Sequence, residues 1–110
     1  MRSDERKSVI RNQAASFIKN GHLQSTRARV KVVQQFIERL VTIARKGNDF
    51  NVIRRVKQAL PFDDSVVRKF VNELAPRYAQ RPGGYTKVLL MGVRTSDTAK
   101  IARLEWVVDA

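Results

Sequence analysis

Residues 75 to 87 read Ala75-Pro76-Arg77-Tyr78-Ala79-Gln80-Arg81-Pro82-Gly83-Gly84-Tyr85-Thr86-Lys87. The chemistry open to this set is recognition of a polyanion. A guanidinium fork matches the oxygens of a phosphate, and a tyrosine or arginine plane can stack on an unpaired base. Proline fixes φ and glycine admits backbone angles other residues avoid, so the segment can hold one bent shape while Arg77, Arg81 and Lys87 point outward. Tyr78 and Tyr85 have two readings, as stackers on bases or as inward anchors of the loop. The plainer description is an ordinary helix-to-strand connection.

Other chemistries find little support. Catalysis needs a convergent acid, base or nucleophile, and the chain offers one histidine, no cysteine and 10 carboxylates. Asp4, Glu5, Asp49, Asp63 and Asp64 stand at helix starts, Glu73 between cations and Asp97 in a turn. The adjacent pair Asp63-Asp64 would point in different directions on a helix, which favours capping over acid/base or metal work. His22 alone cannot complete a zinc site. Gly83-Gly84 lacks the lysine-serine pair and the strand-turn-helix setting of a nucleotide fingerprint, so its value is shape. No enzymatic activity, metal or cofactor is expected.

Charge is the firmest constraint. The 110 residues carry 22 Lys+Arg against 10 Asp+Glu, a formal net charge of +12. A globule of this size cannot neutralise that excess internally, which implies a polyanionic partner. Residues 1–31 hold eight cations and two acids, residues 32–76 eight and five, residues 77–103 six and one, and residues 104–110 two acids. The absence of cysteine excludes disulfides and is compatible with a reducing compartment. Met1-Arg2-Ser3-Asp4-Glu5-Arg6-Lys7 is followed by no apolar signal core, and the longest apolar run, Val88 to Val93, is far too short to span a bilayer. The expectation is a soluble, unsecreted chain; a cleaved organellar presequence would already be missing from a mature chain.

These residues need a scaffold, and the apolar spacing supplies one domain spanning 1–110. Ser3 is placed to cap a first helix with Asp4 and Glu5 in its opening turn, with Ile10, Ala14, Phe17 and Ile18 on one face. Arg6, Lys7, Arg11 and Lys19 lie opposite, and Asn20-Gly21 stops it. His22 to Ser25 is extended, as an edge or a central strand, and Thr26 stands where a cap belongs. From Ala28 to Lys46 a stripe of Val33, Phe36, Ile37, Leu40, Ile43 and Ala44 predicts a second helix ended by Gly47. Arg27, Arg29 and Lys31 at its start have the wrong sign for a helix amino end, a cost of a few tenths to roughly 1 kcal/mol that a nearby anion removes.

Asp49 caps a third helix, Phe50 to Leu60, with Val52, Ile53, Val56 and Leu60 inward, Arg54, Arg55 and Lys57 outward, and Pro61 closing it. Asp63-Asp64-Ser65 opens a fourth with Val66, Val67, Phe70, Val71 and Leu74 on its stripe, ended by Pro76. Lys69 with Glu73, and Glu73 with Arg77, have the spacing of helix-surface ion pairs. Thr86 to Val93 and Ile101 to Val108 form a hairpin around a turn at 94–100, with Ala102, Leu104, Trp106 and Val108 facing the helices. Trp106 reads as core in preference to a base-stacking ring.

The block from Ala75-Pro76-Arg77-Tyr78-Ala79 through Arg81 to Gly83-Gly84-Tyr85-Thr86-Lys87 resembles the signature of bacterial-type large-subunit ribosomal protein seventeen. Arg6-Lys7, Arg11-Asn12, Gly21, Ser25-Thr26, Lys31 and Ala44-Arg45-Lys46-Gly47 fall at that family's spacing, so the resemblance covers nearly the whole chain. It implies an α+β two-layer fold, in the order helix, strand, three helices and a two-strand hairpin, with the helices packed on a small mixed sheet. It further implies a structural, non-enzymatic component of the large ribosomal subunit. The implied partners are large-subunit ribosomal RNA and neighbouring large-subunit ribosomal proteins near the exit region, with no membrane and no small-molecule substrate. The setting is a bacterial cytoplasmic ribosome or an organellar one.

Two departures stand out. Glu5 precedes Arg6-Lys7 where the family has a longer basic arm, so part of that RNA contact is absent, processed away or supplied otherwise. Val93-Arg94-Thr95-Ser96-Asp97 replaces a turn with a proline, two arginines and a glycine. The expected RNA contacts form one patch at Arg6, Lys7, Arg11, Arg27, Arg29 and Lys31, and another at Arg77, Tyr78, Arg81, Gly83, Gly84, Tyr85 and Lys87. Arg2, Asn12, Arg54, Arg55 and Arg94 complete the set. The competing readings are a free-standing architectural or regulatory nucleic-acid-binding protein and a module for acidic proteins. The first predicts comparable affinity for duplex DNA; the second leaves the Arg-Tyr-Gly loop unexplained.

Overall fold

The computed structural model describes residues 3–45, 47, 49–60, 64–93 and 99–108, with side chains from Lys7 onward. The elements are α1 (Ser3–Asn20), β1 (His22–Thr26), α2 (Arg27–Ala44), α3 (Phe50–Ala59), α4 (Asp64–Lys69), a π turn (Phe70–Leu74), a 3-10 turn (Ala75–Tyr78), β2 (Thr86–Val93) and β3 (Lys100–Trp106). The α+β order matches the expectation. The proposed closing role of Pro61, the capping of Asp63, and Arg2, Lys46 and Arg94 lie outside the described residues, as do the side chains of Ser3 and Arg6.

The helices bury most of the stripe their spacing marks; Ile10, Phe36, Ile43 and Ile53 are only half-buried, while Val30 and Val41, outside the expected stripe, join the core of α2. α1 contributes Ala14, Phe17 and Ile18; α2 contributes Val30, Val33, Ile37, Leu40, Val41 and Ala44. Gly21, at φ 84°, ends α1 with its N–H on the Phe17 carbonyl at 2.8 Å, a left-handed stop that turns the chain directly into β1. Asp49 caps α3 as expected, its Oδ1 accepting from the Val52 N–H at 2.9 Å. Thr26 occupies the cap position of α2 in extended geometry, but its side chain makes no cap hydrogen bond.

The sheet corrects one expectation. It runs in the order β1-β3-β2, and both pairings are antiparallel, so it is not mixed. The last strand lies between the other two and opposes both; β1 and β2 are parallel to each other but never adjacent. β1 is therefore an edge. Ala102, Leu104 and Trp106 face the helices, whereas Val108, expected with them, lies past the end of β3 and is 85% exposed.

Two more corrections come from the fourth helix. Pro76 does not end the helical run, which continues through the π and 3-10 turns to Tyr78. The Ala75 N–H bonds the Phe70 carbonyl, five residues back, and the change of helix type passes through the proline. Proline is tolerated there because it sits in the first turn of the 3-10 segment, where its missing N–H is not required. The wider π turn also moves residues four apart out of line. Neither Lys69 with Glu73 nor Glu73 with Arg77 closes an ion pair among the described residues; Lys69 Nζ instead donates to the Lys19 carbonyl at 3.0 Å, at the carboxyl end of α1.

The helical layer and the sheet are joined by two devices. A run of rings links Phe17 of α1 to Trp106 of β3 (4.7 Å, 22°), Trp106 to Tyr78 (5.7 Å, 22°) and Tyr78 to Tyr85 (5.5 Å, 64°). The second device is Glu38 of α2. Its carboxylate accepts from the Thr86 N–H at 2.9 Å, the Thr86 Oγ1 at 2.8 Å and the Tyr85 N–H at 3.3 Å. Tyr85 turns its carbonyl to β3, where the Val107 N–H bonds it at 2.9 Å, so Thr86 turns its own polar groups the other way. On that outward edge Glu38 takes the donor, and Gln34 Nε2 reaches the Thr86 carbonyl at 3.5 Å.

Replacing Glu38 with alanine removes the acceptor of three donors around the buried Thr86. The loss should be about 2 kcal/mol of stability in urea denaturation. Glu38→Gln should recover part of it, because an amide offers one acceptor oxygen where a carboxylate offers two. An alanine variant within a few tenths of a kcal/mol of the parent would contradict this assignment. Asp49→Ala should cost about 1 kcal/mol in the same titration through loss of the cap.

Candidate nucleic-acid interface

The loop between the 3-10 turn and β2 is held from three sides. Arg45, just past α2, donates from Nη2 to the Ala79 carbonyl at 3.0 Å and from Nη1 to Tyr85 Oη at 3.5 Å; Thr42 Oγ1 lies 3.4 Å from the same phenol. Tyr78 Oη donates to the Val107 carbonyl at 2.8 Å. Within the loop, the Arg81 N–H bonds the Tyr78 carbonyl at 3.0 Å and Arg81 Nε bonds the Gly83 carbonyl at 3.0 Å. Gly84, at φ 66°, is the residue whose conformation requires glycine, and Arg81 Nη2 lies 3.8 Å from where a Cβ would stand. Gly83 has no such backbone angle.

This geometry settles the orientation of the tyrosines. Tyr78 is 3% exposed and Tyr85 1%, with both hydroxyls engaged inside the protein. They are the inward anchors of the loop, and neither ring presents a face to a base. Trp106 is likewise core, at 9% exposure between Phe17 and Tyr78.

The outward groups collect in two clefts. One, of about 490 Å³, is lined by Arg77, Gln80, Arg81, Pro82 and Gly83. It gathers three of the residues singled out in the sequence. The other, of about 480 Å³, lies between the start of α2 and β3 and is lined by Thr26, Arg27, Ala28, Lys31, Ala99 and Lys100. It unites Arg27 with Lys31 and adds Lys100, which reads in sequence as part of a turn and carries no signal of a site. No acidic residue occupies the first turn of α2.

The remaining candidates are spread out. Lys7 and Asn12 are exposed and Arg11 half-buried on α1, Arg29 is exposed on α2, and Arg54 and Arg55 are exposed on α3. Lys87 pairs in register with Glu105, on the sheet face turned away from the helices, so it is not part of the Arg77–Arg81 cleft. On that face Arg103 Nε meets Glu105 Oε2 at 3.0 Å. A second ion pair joins Lys57 to Asp64 at 3.6 Å. With Glu38 and Asp49 committed to backbone donors, Arg27, Arg29, Lys31, Arg54, Arg55, Arg77 and Lys87 meet no carboxylate among the described residues. His22 is an exposed strand-end residue. Among the described residues no cluster of His, Cys, Asp or Glu could hold a metal, and no helix is long and apolar enough to cross a membrane.

The cationic clefts and the clasped loop can be set beside known proteins. The family described as ribosomal protein L17 matches residues 9–107. The chain is 37% identical over 107 residues to the "Large ribosomal subunit protein bL17" of Thermoanaerobacter sp. (strain X514), covering 96% of this chain and 92% of that one. The protein of the same name from Desulforudis audaxviator is 39% identical over 107 residues, covering 97% and 94%. That from Clostridium botulinum (strain Hall) is 36% identical, covering 96% and 91%. On a match that includes both clefts and nearly the full length of its relatives, the chain belongs to the ribosomal protein L17 family.

Proposed function

We propose that this protein is a structural, non-enzymatic constituent of the large subunit of a bacterial ribosome, and that it binds and compacts large-subunit ribosomal RNA. The relatives named above are bacterial large-subunit proteins. One observation carries the RNA reading: seven cations on four elements meet no carboxylate among the described residues, where Glu38 and Asp49 are spent on backbone donors and Asp64 and Glu105 on other cations. Phosphates brought together by RNA folding repel one another, and cations gathered in clefts offset that repulsion. The Arg77–Arg81 cleft and the Arg27–Lys31–Lys100 cleft are the two principal phosphate stations, with the Gly83-Gly84-Tyr85 segment shaping the first.

A neighbouring ribosomal protein near the exit region fits a different surface. Leu89, Leu90, Met91 and Val93 on edge strand β2 are 39% to 65% exposed, a continuous apolar stretch on a strand with an unpaired side. A photo-crosslinker at position 90 in assembled subunits should capture protein; capture of RNA would reassign that edge.

The RNA reading is tested by the salt dependence of binding to deproteinised large-subunit RNA. Log affinity should fall linearly with log salt at roughly 0.7 to 0.9 per phosphate contact, and Arg77→Gln or Arg27→Gln should each lower that slope by about 1. A flat response, or equal affinity for duplex DNA, would overturn it. In lysates the chain should sediment with the large subunit at low and high magnesium alike.

A further inference from the structure

We infer that Phe50 is a stacking platform for an unpaired RNA base, flanked by the guanidinium of Arg54; this rests on the RNA-binding reading above. Among the described aromatic residues Phe17, Phe70, Tyr78, Tyr85 and Trp106 are buried and Phe36 is partly so, whereas Phe50 is 76% exposed. Most of the ring's surface is open to a ligand, and a flat π face is what an unpaired base stacks on. It stands at the first position of α3, opposite the stripe formed by Val52 and Val56.

Its surroundings identify the occupant. Arg54, one turn on, places its guanidinium carbon 6.0 Å from the ring centroid. The other exposed residues of the helix are Asn51, Arg55, Lys57 and Gln58, all polar. The nearby Asp49 carboxylate is held by the Val52 N–H. A protein-docking site surrounds its anchor with further apolar area, as Leu89, Leu90, Met91 and Val93 do on the β2 edge. A single ring among cations is the arrangement that holds nucleic acid: the base lies on the ring and the flanking guanidinium takes the phosphate or extends the stack. The occupant is thus a base in a loop, bulge or strand end, because a base stacked on both sides within a duplex has no free face.

The test uses Phe50→Tyr, Phe50→Leu and Phe50→Ala, none of which disturbs the core, in filter binding to deproteinised large-subunit RNA at fixed salt. Tyr should bind within about 2-fold of the parent, while Leu and Ala should each bind at least about 5-fold more weakly with an unchanged salt slope, since a π face and no charge has been lost. Leucine binding as well as the parent overturns the inference, whatever alanine does, because it keeps the apolar bulk without the ring. As a second readout, p-benzoylphenylalanine at position 50 in assembled large subunits should crosslink to RNA; crosslinking to protein, or to nothing, overturns it. If the parent itself fails to bind the RNA, the RNA reading and this inference both fail; if the parent binds and the variants match it, this inference fails alone.

Discussion

The architecture depends on one carboxylate. An edge strand exposes backbone donors and acceptors on its free side, and burying that side against a helix is unfavourable unless the helix supplies partners. Glu38 does so at the first residue of β2, with Gln34 beside it, so α2 behaves as a surrogate neighbouring strand over one residue. Because Tyr85 and Thr86 are fixed there, the loop preceding them has its exit set. Its entry is set by Tyr78 on Val107 and by Arg45 on Ala79. Three ties from three parts of the chain hold about seven residues, and Arg77, just before them, closes no ion pair with a described carboxylate.

The aromatic residues divide the labour of recognition. Phe17, Trp106, Tyr78 and Tyr85 form one continuous contact from α1 to the loop, so the two tyrosines, open in sequence to either role, join the core rings as mortar between layers. What the loop shows to solvent is guanidinium and backbone, a surface that reads the spacing of phosphates and carries little information about base identity. Phe50 sits on another helix and offers the opposite chemistry.

Much of this was legible beforehand. The stripes of α1, α2 and α3, the Asp49 cap and the closing hairpin follow from periods of 3.6 and 2 and from local hydrogen-bonding rules, which need no knowledge of the rest of the chain. The pairing of β1 did not, since five residues with polar members on both faces leave edge and centre equally open. Glu38 was invisible for a related reason. Its partner is 48 residues away, and a half-buried glutamate on a helix reads as surface. The π turn has no sequence mark, so Pro76 reads as a stop and Glu73 as an ion-pair member. In the candidate site, Arg77 with Arg81 and Arg27 with Lys31 were readable as neighbours along the chain. Lys100 and Phe50 were not, because one looked like turn and the other like the mere start of a helix.

The strand order carries an implication for how the molecule comes into being. β3 is the centre of the sheet and the last strand of the three to be synthesised, so β1 and β2 wait without a hydrogen-bonding partner until it emerges. Vectorial translation therefore delivers the helices first, then two orphan borders, then the keystone between them. Pairing residues 100–106 with 22–26 closes a loop of more than seventy residues, the kind of long-range contact that slows folding.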